Sequence, residues 1–172
     1  SKLCNAGGVS AAESFLSTTD YHVDHVKALK GGFGGGFFAM WVASPAGEDY
    51  QSLMVRESYD IPLPESVAYR EALDVVLEQA AILMRLQSLG AVQICTSSQD
   101  IKSGLGTGVL AAVLHLEGCE AIDPDFHSLD VLYAAGLRSL GPVWSRATAF
   151  GEGVPFRFPA SPDIGGGLTD LG

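Results

Sequence analysis

Positive charge is scarce in this chain. Its 172 residues include ten Lys and Arg against twenty Asp and Glu, which gives a formal net charge of −10. A protein that binds nucleic acid needs a cationic face to displace counterions from the phosphates. The basic residues are scattered and form no cluster, so we exclude nucleic acid as a partner. The excess of acidic residues favours a role in solubility.

Long apolar runs and paired cysteines are lacking as well. No stretch reaches the roughly 18 unbroken apolar residues that a membrane helix needs, so no membrane partner is expected. The first ten residues carry no basic-then-apolar signal pattern. Cys4, Cys95 and Cys119 are odd in number and have no CxxC spacing, which favours reduced thiols and a cytoplasmic location.

Apolar residues, by contrast, make up 47% of the chain, ample for one packed core, and we expect a single domain over 1–172. Periodicity predicts strands at 37–42, 92–95, 109–116 and 138–143. It predicts helices at 65–89 and 123–135, and the pair Ser97 and Asp100 forms a capping box that opens a short third helix. Residues 1–30 are predicted to be mostly loop with one short helix, and 144–172 show no periodicity.

Alternation of strands with helices predicts an α/β fold with a parallel sheet. Two architectures fit this pattern: an open doubly wound sheet, and a partial (β/α)8 barrel of the TIM type. A complete barrel takes about 250 residues. On the barrel interpretation, the chain is therefore the N-terminal part of a larger barrel.

Glu117 is the first candidate functional residue. Side chains alternate along a strand, so Ala111, Val113, His115 and Glu117 share one face. The other face carries the bulkier residues Leu110, Leu114 and Leu116 with Ala112, and these would meet helices. In a barrel Glu117 then faces the interior at the carboxyl end of its strand, which is the catalytic end. A buried carboxylate needs a partner or a metal, although capping of the next loop is an equal alternative. His115 lies deeper, and we interpret it as a hydrogen-bonded core residue.

Three other features have a weaker chemical interpretation. Arg146, after the fourth strand, is a candidate to bind a substrate carboxylate in a forked pair, and an ion pair with a surface Asp is the alternative. The glycine run 31–36 precedes a strand, whereas a dinucleotide fingerprint follows one, so it predicts a close backbone approach at a turn. We interpret His22, Asp24 and His25 as a solvated loop.

Three stretches of the sequence follow one another in order: HVD at 22–24 with KGGFGGGFFAMWV at 30–42, VLAAVLHLEG at 109–118 with GLRSL at 136–140, and GEGVPF at 151–156 with GLTDLG at 167–172. In this order they resemble the renal (membrane) dipeptidase family, especially its bacterial members. Together they span most of the chain. Each is modest by itself, and the ordered set is specific.

The resemblance implies a (β/α)8 barrel of the metallo-dependent hydrolase type, which cleaves dipeptides with a water activated by two zinc ions. It implies that Glu117, the Glu of Leu-Glu-Gly, bridges the metals. The family's His-x-Asp pair lies upstream of the segment matched by His22 and Asp24, and no other ligand or catalytic residue can be placed. Many members carry a His near the end of the fourth strand, where this chain reads LGPVW at 140–144, so neither the substrate nor strict dipeptidase activity follows from the resemblance.

The expected partner is a small dipeptide or amide, and a homodimer is left open. The fragment alone is expected to hold zinc poorly, because it supplies one ligand of five. The alternative is a catalytically inactive partial barrel that acts as a structural or binding module. A doubly wound small-molecule binder would need a strand followed by a phosphate loop, which the sequence lacks.

Overall fold

A parallel sheet with a long central strand organises the chain. In a computed structural model, residues 2–17, 21–44, 50–160 and 166–172 are described. The strands are β1 (Gly35–Trp41), β2 (Tyr59–Ile61), β3 (Val92–Ile94), β4 (Leu110–Glu117), β5 (Leu137–Gly141) and β6 (Phe156–Phe158). The helices are α1 (Lys2–Asn5), α2 (Ser14–Ser17), α3 (His25–Lys30), α4 (Tyr50–Met54), α5 (Tyr69–Ser88), α6 (Ser98–Gly104) and α7 (His127–Ala134), with a 3₁₀ turn at Gly8–Ala11.

Strand β4 has β1 along one edge and two short strands along the other. The parallel register with β1 runs from Gly35 opposite Ala111 to Trp41 opposite Glu117. The amide of Leu110 donates to Ala91 and that of Gly118 to Gly141. Alternate residues of a strand point their backbone N–H and C=O groups toward opposite edges, and both of these donors have even numbers. Strands β3 and β5 therefore lie on the same edge of β4, one after the other. This arrangement of helices around a parallel sheet confirms the predicted α/β class. The described residues do not form a closed barrel.

The two faces of β4 have different surroundings. Its even-numbered residues are buried in the core, with Leu114 and Leu116 at most 1% exposed. Val113, His115 and Glu117 on the other face are only partly buried, and neighbouring Phe37 is 69% exposed. This difference in burial confirms that β4 has one face packed in the core and one face that is less covered, although parallel sheets are normally covered on both faces.

Helix α5 contributes much of the cover. Val76, Ile82, Leu83 and Leu86 are buried, and each such side chain stabilises the fold by about 1.5–3 kcal/mol. The predicted apolar stripe was Leu73, Val76, Leu77, Ala80, Leu83 and Met84. It is wrong at Leu77 and Met84, which are 45% and 40% exposed. The buried stripe is rotated toward Ile82 and Leu86, because the sheet and the N-terminal helices cover that side. Among the described residues, no helix is long and apolar enough to cross a membrane.

Glycine at position 35 lets β1 approach β4. A Cβ there would lie 2.2 Å from the carbonyl oxygen of Ala111, and the residue has φ near +157°. Any larger residue would push the strands apart. The glycine run thus serves close backbone approach, as the sequence predicts.

The prediction for the N-terminal segment is wrong. Residues 1–30 were expected to be mostly loop with one short helix, but their described part forms α1, a 3₁₀ turn, α2 and α3. These helices are too short for a periodicity signal.

Residues 144–172 show no periodicity in the sequence, yet a strand lies among them. Strand β6 pairs antiparallel with β2, with Ile61 opposite Phe156. Strands of three residues at such separation carry no local signal.

Candidate functional site

Glu117 ends the central strand. It lies opposite Trp41 of β1 and Gly141 of β5, so its side chain shares the sheet face that the helices leave uncovered. Gly118 follows with φ near +93°, and a Cβ there would lie 2.4 Å from Glu120. Within the described part of the chain, the partly buried Glu117 carboxylate has no hydrogen-bond or ion-pair partner. It is therefore available to a ligand.

Arg146 lies at the same carboxyl edge, but it is completely buried. Its Nε and Nη2 contact Oε1 of Glu120 at 3.0 and 2.8 Å. Its Nη1 donates to Ser44 Oγ at 2.9 Å, and its Nη2 also donates to the carbonyl of Val42. The guanidinium thus joins the segments that follow β1, β4 and β5. Its predicted role in substrate binding stays a prediction, and the geometry favours an internal clamp.

Glu120, the partner of Arg146, was not singled out by the sequence. Its side chain is 1% exposed, and within the described residues its Oε2 accepts no hydrogen bond. A buried carboxylate is tolerated only when an opposite charge compensates it. The pair therefore depends on Arg146, and no local pattern marks it because the partners are 26 residues apart.

Aromatic rings line the edge beside Glu117. The rings of Trp41 and Trp144 meet edge to face, with centroids 5.4 Å apart. Phe156 of β6 contacts Trp144 in the same manner at 5.8 Å. We call Trp41, Trp144 and Phe156 the aromatic wall. Because Trp41 lies directly opposite Glu117 in the parallel register, the backbones of these two residues are about 5 Å apart and their side chains share one face of the sheet.

His115 and the region of His22 are structural in this chain. His115 Nδ1 is 2.8 Å from Ser139 Oγ, which fits the predicted hydrogen-bonded core histidine. The predicted solvated loop is wrong for Asp24 and His25, whereas His22 is exposed. His25 is half-buried and begins α3, and Asp24 is fully buried and caps that helix by accepting from the amide of Lys27 at 2.8 Å. That hydrogen bond, with the Lys27 ammonium, lowers the pKa of Asp24. The Asp24 side chain thus serves as the N-cap of α3.

A second acidic cluster lies at the start of α7. Ligand atoms of Asp123, Asp125 and His127 lie within 4.8 Å of one another. The Asp123 carboxylate already accepts from the amides of Asp125, His127 and Ser128 and from the Ser128 hydroxyl. Four acceptor sites are all that a carboxylate offers. The cluster is therefore better explained as a helix cap than as a metal site.

The Asp123 cap makes a prediction about acid stability. The hydroxyl and amide of Ser128, followed by the amide of His127, hold the pKa of Asp123 well below its usual range. In the unfolded chain an Asp carboxyl titrates at about pH 3.9. The stabilisation from the Asp123 cap is therefore fully present above that pH, and it is lost as the pH falls toward the lower pKa of the folded protein. The urea midpoint of Asp123→Asn should therefore fall less between neutral pH and about pH 3 than that of wild type. Asp125→Asn, at an exposed neighbour, is the control. Equal acid sensitivity of all three proteins would contradict this role.

The buried cysteines are poor nucleophiles. Desolvation, with the nearby Glu120 charge, raises the pKa of Cys119 to about 11, and burial likewise raises the pKa of Cys95. Thiolate is the reactive form of cysteine. Neither residue is suited to covalent catalysis near neutral pH.

Comparison with known proteins adds a family relationship. The sequence model of the membrane dipeptidase family (Peptidase family M19) matches residues 6–172. An "uncharacterized protein in PQQ-III 3'region" from Acinetobacter calcoaceticus is 37% identical over 152 residues, which cover 88% of this chain and 47% of that protein.

Two solved structures have the same fold over nearly the whole chain. A metallo peptidase from Rhodobacter sphaeroides, liganded with a phosphinate mimic of the dipeptide L-Ala-D-Ala, superposes with a TM-score of 0.90 at 37% identity. It is matched over 99% of this chain and 50% of its own. A metallo peptidase described as dipeptidase AC gives a TM-score of 0.90 at 38% identity, covering 99% and 49%. The chain thus spans about half the length of these proteins.

Proposed function

Because the chain belongs to the membrane dipeptidase family of metallopeptidases, we propose that it forms part of a zinc-dependent hydrolase that cleaves dipeptides. The family membership and the fold shared with two metallo peptidases support a peptidase. The Rhodobacter protein binds a dipeptide mimic, which supports a small peptide as substrate. Zinc, the substrate and the activity of this chain are parts of the proposal.

The observation that carries the proposal is the availability of Glu117. Its carboxylate stands at the carboxyl end of the central strand, on the uncovered face, without a protein partner among the described residues. Oxygen of a carboxylate is a normal zinc ligand. Glu117 therefore fits the predicted bridging ligand of two zinc ions.

The chain's own residues have distinct tasks in this proposal. Bound zinc would supply Lewis acidity and lower the pKa of a water molecule for attack on the peptide carbonyl. Glu117 would hold the metal at the carboxyl end of β4. The buried pair of Arg146 and Glu120 orders the three segments around it, so direct contact of Arg146 with a substrate carboxylate would require its present hydrogen bonds to change.

Removal of metal tests the proposal. The native gene product should contain zinc, hydrolyse a dipeptide such as L-Ala-D-Ala, lose that activity after chelation and regain it when zinc is restored. Buffer exchange without chelator is the control. A product that contains no zinc and cleaves no dipeptide would instead support the alternative, an inactive partial barrel that acts as a structural or binding module.

A further inference from the structure

The chain contains two tryptophans, and both belong to the aromatic wall. Both rings are only partly buried, whereas Met40, which precedes Trp41 and points to the opposite face, is 1% exposed. Aromatic residues are usually buried more completely in a core because of their large apolar area. The wall therefore leaves apolar surface exposed on the sheet face that carries Glu117.

The backbone on both sides holds the wall in place. Trp41 is the last residue of β1, and the side chain of Gln79 bonds both its amide, at 2.9 Å, and its carbonyl, at 2.8 Å. Trp144 lies two residues before buried Arg146, and its carbonyl accepts from the amide of Val154 at 2.7 Å. Both tryptophans are thus carried by ordered backbone, as a preformed binding surface requires.

We propose that the aromatic wall is a specificity subsite of this hydrolase, and that it receives an apolar side chain, preferably an aromatic one, next to the scissile peptide bond. The inference rests on the proposed function, because only a reaction centred on Glu117 places a peptide bond beside the wall. Aromatic substrate side chains would stack edge to face on the tryptophans. A charged side chain would lose hydration there without a compensating partner.

Kinetics with paired substrates test the subsite. Trp144→Ala should lower kcat/KM for a dipeptide with Phe by about 10- to 100-fold relative to the same dipeptide with Ala, chiefly through KM, as loss of a few apolar contacts does in specificity pockets. Trp144→Phe should recover most of the preference. Zinc content should stay unchanged in both variants, because the wall supplies no metal ligand.

Tyr133→Ala is the matched control. Tyr133 is an aromatic residue that is 58% exposed on α7, four residues before β5 begins, so it lies near the amino ends of the strands, away from Glu117. The Tyr133→Ala variant should keep the preference of wild type for the Phe-containing dipeptide over the Ala-containing one. If Trp144→Ala and Tyr133→Ala change the substrate preference equally, or not at all, while wild type hydrolyses dipeptides, the subsite is wrong and the proposed function stands.

Tryptophan fluorescence separates this failure from failure of the enzyme proposal. A Phe-containing dipeptide should change the emission of the native gene product, and the change should shrink in Trp144→Phe and in Trp41→Phe. A saturable change without hydrolysis would show that the wall binds the aromatic side chain, and it would oppose the proposed hydrolase function and with it the specificity role. An emission that does not respond to the Phe-containing dipeptide would overturn the subsite, whatever the activity.

Discussion

Replacement of Glu117 by Gln should lower the zinc affinity of the native gene product by more than about 100-fold, and dipeptide hydrolysis should fall with it. Loss of a residue that merely orients a metal ligand already costs 10- to 100-fold in affinity, so loss of a ligand should exceed that range. Gln keeps the size of the side chain and removes its charge. Glu117 has no hydrogen bond or ion pair to another described residue, so the fold should tolerate the change.

The measurement is zinc stoichiometry and affinity by competition with a chelator, alongside circular dichroism to check folding. Glu71→Gln, at an exposed position of α5, is the matched control and should bind zinc as wild type does. Zinc binding that is the same in Glu117→Gln, Glu71→Gln and wild type would rule out Glu117 as the bridging ligand.

Truncation of Arg146 to Ala should lower the free energy of unfolding by about 3–5 kcal/mol, the usual cost when one partner of a buried ion pair is removed. Glu120 would keep its charge at 1% exposure with nothing to compensate it. The carbonyl of Val42 and the hydroxyl of Ser44 would also lose a donor. Urea denaturation at neutral pH measures the change.

Arg85→Ala is the control, because its ion pair with Glu13 at 3.2 Å is exposed on both sides. Such a surface pair contributes at most about 1 kcal/mol. If Arg146→Ala lowers the free energy of unfolding by no more than Arg85→Ala does, the buried ion pair contributes no more to stability than a surface pair.

A double variant separates the two roles considered for Arg146. Glu120→Leu with Arg146→Met replaces both charges by apolar groups, and such replacements are often neutral or stabilising. If Arg146 only orders the loops, this variant should recover stability and keep the KM of wild type. Recovered stability with a KM raised about tenfold or more would instead favour contact with the substrate.

Local patterns in the sequence determined most of the central architecture. Alternation along 109–117 placed Glu117 on the face away from the helices, because side chains of a strand alternate whatever the strand pairs with. The capping box of Ser97 and Asp100 is formed as predicted, since both its hydrogen bonds lie within four residues. The helical spacing of apolar residues predicted α5, although the residues that are buried on it depend on the sheet and helices that pack against it.

Tertiary structure alone decided the contacts between distant segments. Arg146 meets Glu120, Ser44 and Val42, and Trp144 meets Trp41, although about 100 residues separate the outermost partners. Asp24 looked solvated, but the packing of α3 buried it. Periodicity encodes only the state of the local backbone, whereas the partner of a side chain depends on which strand ends the folded sheet brings to one edge. Sequence could therefore single out Glu117 as the candidate ligand, and only the fold could assemble the clamp and the aromatic wall beside it.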